Sequence, residues 1–398
     1  MDCLIDAIGD ADCVLLGESS HGTSEFYTIR AEISKRLIEK KGFSFIAVEG
    51  DWPSCYELNR YIKQYPGTSS MGEAMQSFNR WPTWMWANRE TAHFLEWLRR
   101  YNTRNHLQKE KIGFYGLDVY SLWESMEEIV KHLEKIGSKD VDLARKAFSC
   151  FEPFSRSAQT YGVSAAFLSE DCVNEVVELL EALRTNRNHY GNEEAAINME
   201  MNALVAVNAE RYYRSMVRGG PDSWNIRDEH MVQVLDRLMD FHGTKAKAIV
   251  WEHNTHIGDA RATDMAEEGM LNVGQLVREQ YGPENVFAVG FGTHRGSVIA
   301  ARGWAERMEK MPVPKALPDS WEDLLHRAGS RDKILIFDQA NDAFSQVFGH
   351  RAIGVVYHPE DERGNYVPSV MSERYDAFVY VDETHALDPI VVKELVFE

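Results

Sequence analysis

Short, mostly apolar runs recur along this chain with helical periodicity between them, and that alternation limits the fold more than any other feature. The runs are Cys13–Leu16, Phe45–Val48, Ile112–Tyr115, Ala248–Trp251, Val286–Val289, Ile334–Phe337, Ala352–Val356 and Ala377–Val381. Several are continuously apolar and rich in Val and Ile, as strands buried on both faces must be. Between the first two, Phe26, Ile29, Ile33 and Leu37 repeat at three-to-four spacing. They form one stripe of a helix over Ser24–Lys40, closed by Gly42 just past its basic end. Strand, helix, strand predicts an α/β fold: a mostly parallel central sheet with helices on both faces, in three layers.

The pattern changes in the middle. From about Ser121 to Phe241 only helical periodicity is present. Val173, Val176, Val177, Leu180 and Leu183 mark one stripe, and Met199, Ala203, Ala206 and Glu210 another. The expected organisation is a first part of the α/β core over 1–120, a helical insertion over 121–241 that forms a cleft, and a second part of the core over 242–398. A length of 398 residues, about two to three times an ordinary domain, accommodates this. "MPVPKALPDSW" (Met311–Trp321) is expected to be an extended surface loop.

Composition narrows the function. The formal charge of −19 argues against nucleic acid or an anionic membrane as partner, since either needs a basic face. No apolar run approaches the roughly 18 residues that span a bilayer. The start, "MDCLIDAIGDADC", lacks a basic, apolar leader. The five cysteines are odd in number and widely spaced, without C-x-x-C. A reduced, cytoplasmic protein is expected.

Residues able to do chemistry follow the runs in turn. Glu18 and His21 come after the first, in "GESSHGTSEF", and Glu49 after the second. Asp118 follows the third, Glu252, His253 and His256 the fourth, in "WEHNTHIGD", and His294 and Arg295 the fifth. Singly, each is an ordinary polar loop residue. Together they mark a site, because ligands of open α/β sheets bind beyond the carboxyl ends of the strands.

Three chemistries fit these residues. A serine nucleophile fits worst: Gly17-Glu18-Ser19-Ser20-His21-Gly22 places its second glycine one residue late for G-x-S-x-G. A divalent metal held by Glu18, His21, Glu49 and the histidine pair uses the right ligand types, but "HNTH" is not H-E-x-x-H and no cysteine cluster supports it. General-base chemistry on water needs an imidazole oriented by a carboxylate, and His21 with Glu18 or Glu49 supplies one. The helix after His21 would turn its positive end towards developing negative charge. Trp84, within the tryptophan-rich segment Trp81–Trp86, is a candidate pocket wall, although packing against the helices is an equal reading. A non-catalytic protein binding a small apolar ligand in the same cleft is the alternative of a different class.

"LLGESSHGTSEFYTIRAEISKRLIEKKGFSFIAVEGDWP" resembles the opening of the erythromycin esterase family. The resemblance runs on through "GFYGLDVYSLW", "WNIRDEHM", "VWEHNTHIGD", "GTHRGSVIAARGW", "RAIGVVYHPE" and "RYDAFVYVDET", nearly the whole chain. It implies hydrolysis by water without metal or cofactor, of a carboxylic ester such as the lactone of macrolide antibiotics, the basis of resistance in characterised members. It implies His21 as general base, Glu18 and Glu49 as its carboxylates, and His253 and His256 as the HNxH pair. Arg30 is implied as the arginine of the following helix, expected to grip a carboxylate through a two-bond fork. The expected partner is a small-molecule ester or lactone.

Overall fold

A computed structural model describes residues 1–67, 70–104, 111–168, 171–337 and 342–392. The chain divides into two compact units. Of the described residues, 1–48, 58–114 and 242–392 make the first, and 49–57 with 115–241 make the second.

The strands, in chain order, are β1 (Cys13–Leu16), β2 (Phe45–Asp51), β3 (Gly113–Asp118), β4 (Ala248–Trp251), β5 (Val286–Ala301), β6 (Met308–Val313), β7 (Lys333–Ile336), β8 (Val347–Arg351), β9 (Tyr366–Val370) and β10 (Ala377–Thr384). The main sheet has the order β3-β2-β4-β1-β5-β10-β7, with β6 added to the far end of β5. The pairs β2–β4, β4–β1, β1–β5 and β5–β10 are parallel, while β7 and β6 run antiparallel to their neighbours. All four residues of β1 and of β4 are buried, which explains why these strands read as unbroken apolar runs. The architecture is the mostly parallel α/β sheet with helices that the alternation predicts.

The order of connections creates a switch point. From β1 the chain passes through the helix Ser24–Lys41 to β2, skipping the position beside β1 that β4 later fills. From β4 it leaves in the other direction and reaches β5 on the opposite side of β1. The connections therefore diverge beyond the carboxyl ends of β1 and β4, the place where open α/β sheets bind their ligands. The helix ends at Gly42, whose φ of 70° closes it in the left-handed conformation.

Three expectations about strands need correction. Ala352–Val356 is not a strand. Ile353 and Val356 make single bridges, to Ser20 and Ala301, and the ladder lies just before them, where β8 pairs with β9 in a separate small sheet. Burial of Ile353 against the core explains its apolar character without a ladder. β5 runs on to Ala301, because Val298, Ala300 and Ala301 supply a second buried stretch beyond Gly296. At Gly296 a Cβ would lie 2.1 Å from the Thr384 carbonyl oxygen, so the strand passes only with glycine there. The expected surface loop begins inside β6, an edge strand that tolerates Pro312 opposite Ser297.

The second unit carries the helices Leu122–Ile136, Val141–Phe151, Ala158–Phe167, Val173–Thr185, Glu193–Met216 and Asp222–His242, the last ending one residue into the first unit. In Val173–Thr185 the inward residues are Val176, Leu179, Leu180 and Leu183, and Val177 is exposed, a shift of the expected stripe towards Leu179. Glu210, inside the other stripe, is buried where Tyr161 donates to it at 2.9 Å and Arg214 pairs with it. Cys150 and Cys172 form a disulfide with a Cα separation of 6.0 Å, so two thiols expected to be reduced are joined; Cys3, Cys13 and Cys55 are free. Among the described residues no helix is long and apolar enough to cross a membrane.

Candidate active site

In the first unit, Glu18 lies two residues past β1 and His253 two residues past β4, and these strands are adjacent with Leu16 opposite Trp251. The turns are tied together by the Asn254 N–H, which donates to the Glu18 carbonyl at 2.9 Å. Glu18 is 1% exposed and uses both carboxylate oxygens. Oε1 lies 3.0 Å from His21 Nδ1, and Oε2 accepts from Arg30 Nη2 at 2.6 Å. The carboxylate thus fixes the His21 proton on Nδ1 and leaves Nε2 as the basic nitrogen.

Arg30 reaches Glu18 from the second turn of the helix Ser24–Lys41. It makes one bond rather than the expected fork. Its Nε and Nη1 have no hydrogen-bond partner, and its guanidinium lies over the rings of Tyr27 and Trp251, 4.4 and 4.8 Å from their centroids. Aromatic faces thus take the place of a second oxygen. Tyr27 also donates to the His21 carbonyl at 3.0 Å, fixing the backbone beneath the imidazole. Ser20 Oγ and Thr23 Oγ1 are hydrogen-bonded to each other, so Ser20 acts within the turn.

The ring of His253 lies 4.9 Å from that of His21, centroid to centroid, at 43°. His253 caps the short helix Asn254–Ile257: its Nδ1 accepts the Thr255 N–H at 3.3 Å and lies 2.9 Å from Thr255 Oγ1. With Nδ1 an acceptor, the neutral ring carries its proton on Nε2 and can donate. His256 and Glu252 are also buried, at 2% and 0% exposure. Glu18, His21, Arg30 and His253, all candidates from the sequence and its family resemblance, thus stand together in the first unit.

The other candidates have partners of their own. In the second unit, the Arg227 guanidinium binds Glu49 Oε1 at 2.7 Å and both oxygens of Asp118 at 2.9 and 2.7 Å. Burial would raise the Asp118 carboxyl, but Arg227 outweighs it and holds the pKa below the usual value. Arg227 was not singled out from the sequence; its signal was an arginine inside "WNIRDEHM". In the first unit, His294 stacks on His326 with centroids 3.8 Å apart, and His326 Nδ1 lies 2.7 Å from Asp382. Burial, then the neighbouring His326, lower the His294 pKa. Arg295 is exposed and paired with Glu383 at 2.8 Å. Trp84 is interior at 1% exposure and packs in the core; of its segment, Trp81 is partly exposed, against Trp304. Among the described residues no group of three or more His, Cys, Asp or Glu side chains is arranged to hold a metal ion.

A mostly parallel α/β sheet with a carboxylate-oriented histidine at its switch point defines the class. The erythromycin esterase family model matches residues 38–384, and the chain belongs to that family. It is 24% identical over 326 residues to erythromycin esterase type II of Escherichia coli, covering 74% of this chain and 71% of that one. It is 18% identical to the putative hydrolase YbfO of Bacillus subtilis (strain 168), covering 96% of this chain and 85% of the relative. Among solved structures, a succinoglycan biosynthesis protein superposes with a TM-score of 0.78 at 20% identity, covering 97% of this chain and 91% of the other. A mutant of the erythromycin esterase EreC in its open conformation superposes with a TM-score of 0.68 at 17% identity, covering 99% and 95%. At these identities the solved structures speak for the fold alone.

Proposed function

We propose that the chain is an ester hydrolase in which His21 activates water without a metal. The observation that carries this reading is the carboxylate of Glu18 shared between His21 Nδ1 and Arg30, with the His253 ring beside His21. His21 Nε2 takes a proton from water as the water oxygen bonds to the ester carbonyl carbon. The developing oxyanion accepts a hydrogen bond from His253 Nε2–H. Collapse breaks the bond to the alkoxy oxygen, which takes the proton held by the His21 imidazolium, directly or relayed through His256, so that both imidazoles return to their starting state. Arg30 balances the negative charge of Glu18, so that the carboxylate orients His21 rather than taking its proton. Glu49 keeps the part in the reaction that the family resemblance assigns it. The helical stretch 121–241 is proposed to set substrate choice, and a macrolactone is the first candidate substrate because relatives are named for one.

Mass spectrometry of erythromycin and of a small aryl ester after incubation tests this, with His21→Ala run in parallel. A product heavier by one water, absent with the variant, is expected. Turnover of the aryl ester alone would retain the hydrolase and remove the macrolide. Undiminished turnover by His21→Ala would overturn the assignment, and activity lost to a chelator with stoichiometric metal in the protein would replace it with metal-assisted hydrolysis.

A further inference from the structure

Asn254, in the turn that carries His253 and His256, is linked to two further polar side chains, and the proposed reaction uses none of the three. Asn254, His350 and Glu322 are each 0% exposed. Glu322 Oε1 lies 2.6 Å from His350 Nδ1 and also accepts the Arg351 N–H at 3.0 Å. His350 therefore carries its proton on Nδ1, and its Nε2 accepts from Asn254 Nδ2 at 3.1 Å. Burial pushes the His350 imidazole below its usual pKa, which keeps it in this neutral form.

The Asn254 amide is used on every side. Nδ2 also donates to the Phe291 carbonyl at 2.6 Å, and Oδ1 accepts the Phe291 N–H at 3.2 Å. The Asn254 backbone donates to Glu18 and accepts from Arg374 Nη2 at 3.1 Å. One residue thus fastens the turn after β4 to the turn after β1 and to β5. Turned over, the amide would place Oδ1 against the lone pair of His350 Nε2 and lose both bonds to Phe291. A proton on Nε2 would instead confront the NH₂ group with a second donor.

We infer that the Glu322–His350–Asn254 chain is a positioning device for the active site, fixing one orientation of the Asn254 amide and through it the place of the His253 ring beside His21. Its kinetic consequence rests on the hydrolytic reading above; its geometric consequence does not. None of the three residues touches substrate, and each acts through the turn that bears His253.

Two variants and two readouts test it. His350→Phe keeps the bulk and removes the acceptor. His350→Gln can present an oxygen to Asn254 and its amide N–H to Glu322. With a hydrolysed ester, His350→Phe is expected to lower kcat about 10-fold or more, with KM little changed, because a misplaced catalytic group costs turnover rather than binding. His350→Gln is expected to recover most of it. Long-range imidazole ¹H–¹⁵N spectra of histidine-labelled protein should show the His253 signals moved in His350→Phe and restored in His350→Gln. His253 signals unmoved in folded His350→Phe, or a wild-type kcat, would overturn the inference, as would His350→Gln failing to the same degree while folded. If the wild type cleaves no ester, the hydrolytic reading falls and the ring spectra alone decide the positioning role. If His350→Phe does not fold, Asn254→Asp replaces it. An aspartate oxygen facing Nε2 should draw a proton onto His350 and shift His253, and a neutral His350 with unmoved His253 signals would count against the chain.

Discussion

His21 Nδ1 and Glu18 Oε1 are 3.0 Å apart, joined across three residues of one tight turn that starts where β1 ends. Because the other carboxylate oxygen is taken by Arg30, the pair has one orientation, and the basic nitrogen of His21 is chosen by the fold. Glu18→Gln preserves the shape of this arrangement and removes the charge that stabilises a His21 imidazolium. Its hydrolysis of whichever ester the wild type cleaves is expected to fall by about 10² or more, in kcat rather than KM, the size of a lost general-base contribution. Steady-state kinetics beside His21→Ala check this. A Glu18→Gln enzyme with wild-type kcat would remove Glu18 from the mechanism.

Arg30 and Glu18 are buried to 0% and 1% exposure, so their pairing is a matter of stability as well as chemistry. Arg30→Met leaves the Glu18 charge in the interior without its cation. Breaking a buried pair from one side costs about 3–5 kcal/mol, and that loss is expected in chemical denaturation at neutral pH. The double variant Arg30→Met/Glu18→Gln should regain part of it, because no buried charge is then left uncompensated. A single variant as stable as wild type would show that Glu18 accepts a proton when Arg30 is gone.

The sheet and the Glu18–His21 pair were legible because their signals are local. Buried parallel strands must be apolar on both faces, and the chemistry-bearing residues follow them directly, so position along the chain stands in for position in space. Ala352–Val356 misled for the same reason: burial makes a run apolar whether or not it joins a ladder, and Ile353 is buried through a single bridge to Ser20. Arg227 and the Glu322–His350–Asn254 chain were not legible. Their partners are brought to them by tertiary contacts between residues from 28 to 178 positions apart, and a lone arginine or histidine on a helix or strand carries no local mark of such a contact.

His230 gives a pH dependence to the helical unit. It is fully buried, its Nδ1 lies 2.9 Å from Asn208 Nδ2, and burial lowers its pKa from 6.5 to about 4. Between these two values the unfolded chain binds the proton and the folded chain does not, so stability rises with pH across that window. The contribution is complete above about 6.5 and is lost as the pH falls towards about 4, at no more than roughly 1.4 kcal/mol per pH unit. His230→Gln has no such titration. Urea unfolding between pH 7.5 and 4.5 should therefore give a shallower loss of stability for the variant than for the wild type, whatever their difference at neutral pH. Equal slopes would mean that His230 is protonated in the folded state.

Gly17 joins the chemistry of the first turn to the position of Asn254. A Cβ at residue 17 would lie 2.1 Å from Asn254 Oδ1 and 3.2 Å from both Asn254 Cγ and Ile257 Cδ1, so the space beside this first residue after β1 is already filled by that amide. Gly17→Ala cannot be absorbed by a small shift, since Asn254 is bonded on one side to Phe291 and on another to His350. The amide must withdraw, or the turn bearing Glu18 must move away from the turn bearing His253. Either displacement separates the His21 and His253 rings, now 4.9 Å apart. Gly17→Ala is expected to fold with a stability loss of about 1–3 kcal/mol, the range for an overpacked interior position, and to lose a larger share of its turnover than that loss explains. Thermal unfolding and kcat measured on the same preparation separate the two effects. If kcat is unchanged in the folded variant, the separation of the two histidines is not set by this contact.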